Sequence, residues 1–319
     1  MRIDCVSFLD PEVYGGGGEM ISRRLLETGR ARGHDLRITS VRQRRRDLHA
    51  RPDLTLLIDV FNHGHTLLSL GAWRSFGEDF LESVIGRAPF VHLNNGYTDV
   101  CNLGYLPCSG NAAPECPKKP LPLSDRVLLR DFGKRCFAIR PIVRRLYEDA
   151  ALNIFQSPLH ERVIRQVLGA ARLPPSFTLR PQIDAAVFHN EGRTRDIEYL
   201  FVGVIGEAKC LAQMRERFRD TDIHLIGRCA PGVKLDFGRH VGQVPYAEIP
   251  RWMNRAKHFV FLPRWPDPQG RVVAEAALCG CKIIANDNVG ALSFGFDLAD
   301  PAQYAGAEDA FWERLETLR

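Results

Sequence analysis

The sequence predicts two α/β domains, each a parallel sheet covered on both faces by helices. Three observations carry this. Strand-length apolar runs alternate with helical periodicity along the chain, and a proline-bearing stretch interrupts that alternation past its middle. The chain's 319 residues, with 45% apolar side chains, are enough for two modest cores.

In order, a strand at 2–8 runs into the glycines Gly15 to Gly18, and a helix follows that carries Met20, Ile21, Leu25 and Leu26 on one face. Further strands are expected at 35–40, 54–60, 89–93 and 151–155, with helices near 78–86, 121–148 and 158–169. Leu173-Pro174-Pro175 and Arg180-Pro181 break the pattern and predict an interdomain linker. A second series then places strands at 197–203, 222–226, 239–241, 257–262 and 282–285. Its helices fall near 207–217, 246–255 and 270–279. The expected organisation is 1–180, 181–305 and a terminal helical segment, 306–319. Ligands are expected at the carboxyl ends of the strands.

Composition excludes several classes. Charged residues are 25% of the chain and the formal net charge is +5, which fits an anionic ligand or surface but is too small to argue for nucleic acid. The opening MRIDCVSFLD lacks the apolar core and cleavage site of a secretory signal, and no apolar run approaches the ~20 residues of a membrane span. Nine cysteines without a CxxC pair read as reduced thiols, so a cytoplasmic location is expected.

The segment most informative about chemistry is 257–290, KHFVFLPRWPDPQGRVVAEAALCGCKIIANDNVG. An apolar strand leads through a proline-rich turn to Gly270, which opens a helix whose first N–H groups and dipole suit a diphosphate. Arg271 adds charge there. Asp267 and Glu275 stand eight residues apart, one in the loop and one on the helix, and carboxylates accept hydrogen bonds from sugar hydroxyls in pairs. The bland alternatives are a helix-capping Asp267 and a solvated Glu275.

Pro263, Asp267-Pro268-Gln269-Gly270, Glu275-Ala276, Gly280 and Gly290 together resemble the signature of glycosyltransferase family 4. The resemblance implies the GT-B fold: two Rossmann-like doubly wound domains facing across a cleft. It also implies a metal-independent, retaining hexosyltransferase that uses a nucleotide diphosphate-sugar donor. Further matches are the loop Gly15 to Glu19 with Gly16 and Gly17, Ser157, Asp184 and Phe188, and Gly203 with Lys209. By resemblance Glu275 binds ribose, Asp267 binds the transferred sugar, and the amides near Gly270 bind sugar and phosphate. Lys209 neutralises the diphosphate. Three departures stand out: Asp267 is a methylene shorter than the usual Glu, Gln269 replaces a frequent Phe, and Val204 occupies the usual Arg position. Arg271 or Arg264 is expected to supply the missing charge.

On the acceptor side the family often carries a His after the fourth strand, where this chain has Asn94 or Asn95. His92 lies close by, and strand alternation sends His92 and Asn94 to one face. His63 and His65 are further candidates. Cys101, Cys108 and Cys116 share one loop, with Cys136 beyond it, and are read either as a structural zinc site or as unligated thiols. The basic run from Arg42 to Arg51, extended by Arg140, Arg144 and Arg145, is read either as a solvated face or as a contact with an anionic acceptor or the inner face of a membrane.

The expected function is therefore sugar transfer to the hydroxyl of a small molecule, saccharide or lipid-linked acceptor, with no nucleic acid involved. Two alternatives share the architecture: a degenerate nucleotide-sugar-binding subunit and a GT-B epimerase or hydrolase. A dinucleotide-dependent oxidoreductase is disfavoured, because the glycine run lacks G-x-G-x-x-G spacing.

Overall fold

The apolar runs form strands, and the helical patterns between them form the crossovers, in a computed structural model that describes residues 1–13, 17–40, 45–60, 78–101, 138, 141–169, 173–209 and 211–318. The first series comprises β1 (Arg2–Ser7), α1 (Gly17–Ala31), β2 (Asp35–Ser40), β3 (Leu54–Ile58), α2 (Glu78–Ile85), β4 (Phe90–Leu93), α3 (Pro141–Glu148), β5 (Leu152–Phe155), α4 (Pro158–Leu168) and β6 (Ser176–Thr178). The second comprises β7 (Ile197–Val202), α5 (Leu211–Phe218), β8 (Ile223–Ile226), β9 (Arg239–Gly242), α6 (Ile249–Arg255), β10 (Ala256–Phe261), α7 (Arg271–Leu278), β11 (Lys282–Ala285) and the closing helix α8 (Ala307–Glu316).

Two units result. One holds Met1–Gln156, His160–Leu179 and Gly306–Arg319; the other holds Ser157–Leu159 and Arg180–Ala305. In the first, six strands run in the order β2-β1-β3-β4-β5-β6, every neighbouring pair parallel. In the second, five parallel strands run β11-β10-β7-β8-β9. The order reverses between β1 and β3 in one sheet and between β7 and β10 in the other. At such switch points the crossovers diverge to opposite faces and leave a crevice beyond the carboxyl ends.

The two faces of the first sheet differ. Ile3, Cys5, Ile38, Leu56, Ile58, Val91, Leu93 and Ile154 pack on Ile21, Leu25 and Leu26 of α1 and on Phe311, Trp312 and Leu315 of α8. Alternation turns Asp4, Thr55, His92 and Asn153 to the other face, all buried, with Asp4 in register with Thr55 and His92 with Asn153. A buried carboxylate needs donors. Asp4 receives the His49 N–H at 2.8 Å, contacts His49 Nδ1 at 2.7 Å and pairs with Arg87.

The stretch read as a linker contains a strand. Ser176–Thr178 pairs in parallel with β5, flanked by Pro175 and Pro181. As the edge strand it needs hydrogen-bond partners on one side only, which tolerates prolines at its ends. Of the helix expected over 121–148, Pro141–Glu148 is present and 121–137 lies outside the described residues. No helix among the described residues is long and apolar enough to cross a membrane.

Candidate functional site

At the carboxyl side of β7 and β10 the second unit assembles two carboxylates and two cations. Strand β10 ends at Phe261, and the following loop carries Asp267. That loop is pinned to the segment after β11: the Asp267 N–H donates to Asn288 O at 2.7 Å and the Gly290 N–H to Asp267 O at 3.0 Å. Asp267 is 8% exposed. Its Oδ1 accepts from the Gln269 N–H at 3.3 Å, and its Oδ2 is ion-paired with Lys209. It therefore does not cap α7, whose N-cap is Gly270, without any side-chain cap bond.

Glycines shape this loop. Gly270 takes φ 67°, a left-handed conformation in which a Cβ would fall 2.7 Å from Val289 Cγ1. A side chain at Gly290 would run into the Pro268 carbonyl and the Ser157 hydroxyl, which themselves bond at 2.5 Å. The glycine spacing of the sequence signature thus lets the loop press against its neighbours.

Lys209 ends the 3₁₀ turn Glu207–Lys209 that follows β7 and Gly203, and its ammonium also lies over the Phe261 ring, 5.3 Å from the centroid. Glu275 sits in the second turn of α7 and is 2% exposed, so it is not a solvated helical residue. Its Oε1 accepts from Arg271 Nε at 2.9 Å and from the Tyr246 hydroxyl at 2.7 Å. Arg271 is thus engaged with the carboxylate one turn along rather than standing alone at the helix start. Arg264 lies over Trp265, 5.0 Å from its ring centroid. Val204, at the position where the resemblance expects Arg, is 41% exposed.

The first unit has its own polar cluster at its switch point. Asp59 directly follows β3, is 9% exposed, and has φ 45°, the one positive φ at a non-glycine among the described residues. Backbone strain of that kind persists where surroundings enforce it. Here Asn95 does so. Its N–H donates to Asp59 Oδ1 at 2.7 Å and its Nδ2 to Oδ2 at 2.6 Å. Asn95 Nδ2 also reaches Ser22 Oγ at 3.3 Å, and Asn95 Oδ1 accepts from Gln156 Nε2 at 2.9 Å. Burial pushes the Asp59 carboxyl up to about 7, against the downward pull of the Asn95 donors and with a further upward push from Asp99.

Beside this cluster His92 is buried, its Nε2 2.7 Å from Asp99 Oδ2 and its ring edge-on to Tyr147. Asn94 donates to the Tyr147 hydroxyl at 3.1 Å, so His92 and Asn94 do share one face. Gly18, in the first turn of α1, lies against Asn95: a Cβ there would sit 3.1 Å from Asn95 Cβ. Gly17 opens α1 and is exposed.

No family model and no curated protein matches the chain. Solved structures do. The sucrose-phosphate synthase of Thermosynechococcus elongatus aligns at 14% identity over 100% of this chain and 95% of its own, with a TM-score of 0.59. Anabaena HepE in complex with UDP aligns at 14% identity over 92% of this chain and 82% of its own, with a TM-score of 0.54. An alpha-glucosyltransferase in complex with UDP and a 13-mer DNA aligns at 11% identity over 99% and 95%, with a TM-score of 0.51. The chain has the GT-B fold.

Within this GT-B chain the structure brings together Asp267 with Lys209 and Glu275 with Arg271 in one unit, and gathers Asn95, Gly18 and Ser22 in the other. Gly16, His63, His65, Cys108, Cys116 and Cys136 lie outside the described residues. Cys101 is buried, and among the described residues no three His, Cys, Asp or Glu side chains converge as a metal site. Sequence reasoning missed Asp59 and Tyr246. The signal for Asp59 was available, a lone carboxylate closing an apolar strand; Tyr246 had none beyond its strand-to-turn position.

Proposed function

We propose that this chain is a retaining glycosyltransferase of the family 4 kind, moving a sugar from a nucleotide diphosphate-sugar to an acceptor hydroxyl. One observation carries the reading: two nearly buried carboxylates, each in contact with its own cation, stand at the switch point of the second sheet. Burial of Asp267 and Glu275 is costly and is offset by Lys209 on the one and by Arg271 and Tyr246 on the other, at the strand ends where sheets of this kind bind ligands. In this reading Glu275 holds the ribose and Asp267 the transferred sugar, while Lys209, Arg271, Arg264 and the amides at Gly270 hold the phosphates, with Gly203 allowing close backbone approach. UDP is the first donor nucleotide to try, since HepE is bound to UDP and glucose.

Transfer then breaks the bond between the anomeric carbon and the phosphate oxygen while the acceptor oxygen bonds to that carbon on the same face. The departing phosphate oxygen takes the acceptor proton. Positive charge near Lys209 stabilises the leaving diphosphate. Asn95 and His92 belong to the acceptor side, with Asn95 held in place by Asp59.

The acceptor is a small molecule, saccharide or lipid-linked sugar, and the protein works in the cytoplasm or at the inner face of a membrane. The DNA contact of the alpha-glucosyltransferase is not carried over. Three arginines of the basic stretches are engaged with carboxylates, Arg45 with Asp10 and Glu12, Arg144 with Glu148, and Arg145 with Asp149 and Glu82. The exposed Val204 favours a second reading, a subunit that binds nucleotide without turnover.

Calorimetric titration of UDP, GDP, ADP and dTDP into wild type and Glu275→Ala tests the donor site. One nucleotide is expected to bind wild type, and Glu275→Ala to weaken it at least about tenfold. Binding by neither protein, or equal binding by both, rules the assigned site out.

A further inference from the structure

An exposed tyrosine normally turns its hydroxyl to water and its ring inward. Tyr246 does the reverse. The residue is 44% exposed, yet its hydroxyl donates to Glu275, which is 2% exposed. Arg271 Nε donates to the same oxygen, Oε1, and the Arg271 guanidinium lies over the Tyr246 ring, 5.6 Å from its centroid. Phe188, fully buried, supports the ring from a centroid distance of 5.5 Å. The 3₁₀ turn Tyr246–Glu248 and the first two turns of α7 are thereby joined through one carboxylate oxygen.

A carboxylate on a helix can rotate about its side-chain torsions, and each alternative rotamer weakens a bidentate grip on a diol. Two donors on one oxygen remove that freedom, because hydrogen bonds to a charged acceptor are about twice as strong as neutral ones. Arg271 alone fixes Glu275 along the helix, as an i, i+4 partner. Tyr246 fixes it from a separate element, so the two together define both its position and its orientation.

We propose that Tyr246 is a positioning residue of the nucleoside site, whose hydroxyl, with Arg271, holds the Glu275 carboxylate in the orientation that meets the two ribose hydroxyls of a bound nucleoside diphosphate. The assignment rests on the proposed role of Glu275 as the ribose ligand. It predicts that the benefit of the Tyr246 hydroxyl is felt only by ligands that carry the ribose diol.

The test is a double comparison by calorimetry: wild type and Tyr246→Phe, each titrated with UDP, GDP and ADP and with their 2′,3′-dideoxy analogues. The Phe variant keeps the ring, the Phe188 contact and the Arg271 stacking and removes one oxygen. Tyr246→Phe is expected to weaken the preferred ribonucleotide about tenfold, and to leave its dideoxy analogue unchanged. Equal weakening of both ligands, or no weakening of either, overturns the proposal and leaves Glu275 in place. A wild type that shows no preference for the ribo form removes Glu275 as the ribose ligand, and Tyr246 with it.

Discussion

Replacing Lys209 with alanine is expected to lower the rate of sugar transfer by about 10²- to 10³-fold. The reason lies in its surroundings. Lys209 lies on the β7 side of the switch point, its ammonium ion-paired with Asp267 and set over the Phe261 ring. The resemblance expects an arginine close by, but that position is Val204. In the proposed transfer, the negative charge that develops on a departing diphosphate is met on this side by Lys209. Alanine also leaves Asp267, 8% exposed, without its cation, which repels the incoming phosphates. Nucleotide release from the donor under saturating conditions measures the loss. A Lys209→Ala protein that turns over at the wild-type rate removes the residue from the chemistry.

The second large effect is on stability. Trp312→Ala is expected to destabilise the first unit by about 3–5 kcal/mol. Trp312 is fully buried in the face shared by α1 and α8, and its indole N–H donates to the Leu25 carbonyl at 2.7 Å. Gly29 makes room for it, since a Cβ there would overlap the indole ring. Alanine leaves a cavity and removes the indole donor to the Leu25 carbonyl. Although α8 closes the chain, it belongs to the unit built from the chain's beginning. Urea unfolding followed by far-UV circular dichroism is expected to show a lower midpoint. A midpoint within error of wild type contradicts the packing described here.

Much of the fold was legible in the sequence because buried parallel strands are short apolar runs, and the crossovers between them carry helical periodicity. Ile197–Val202 and Ala256–Phe261 are plain examples. Ser176–Thr178 was not, because its identity as a strand comes from pairing with β5 while its prolines signal a break. The candidate donor site was legible where its residues fall in one segment, as Asp267, Gly270, Arg271 and Glu275 do. It was not where contacts bridge distant positions. Tyr246 meets Glu275 across 29 residues, and Asp59 meets Asn95 across 36. Nor does spacing reveal that His92 is buried against Asp99, or that Arg271 turns toward Glu275.

Sugar transfer itself is the central claim. The most direct measurement follows the anomeric proton by NMR, with the protein, the nucleotide-sugar whose nucleotide it binds, and a panel of hydroxyl acceptors. The expected result is loss of the donor signal, release of nucleoside diphosphate, and a product whose anomeric configuration matches the donor. A product of opposite configuration contradicts retention, and a donor that binds yet stays intact with every acceptor contradicts the transferase reading in favour of a nucleotide-sugar-binding subunit.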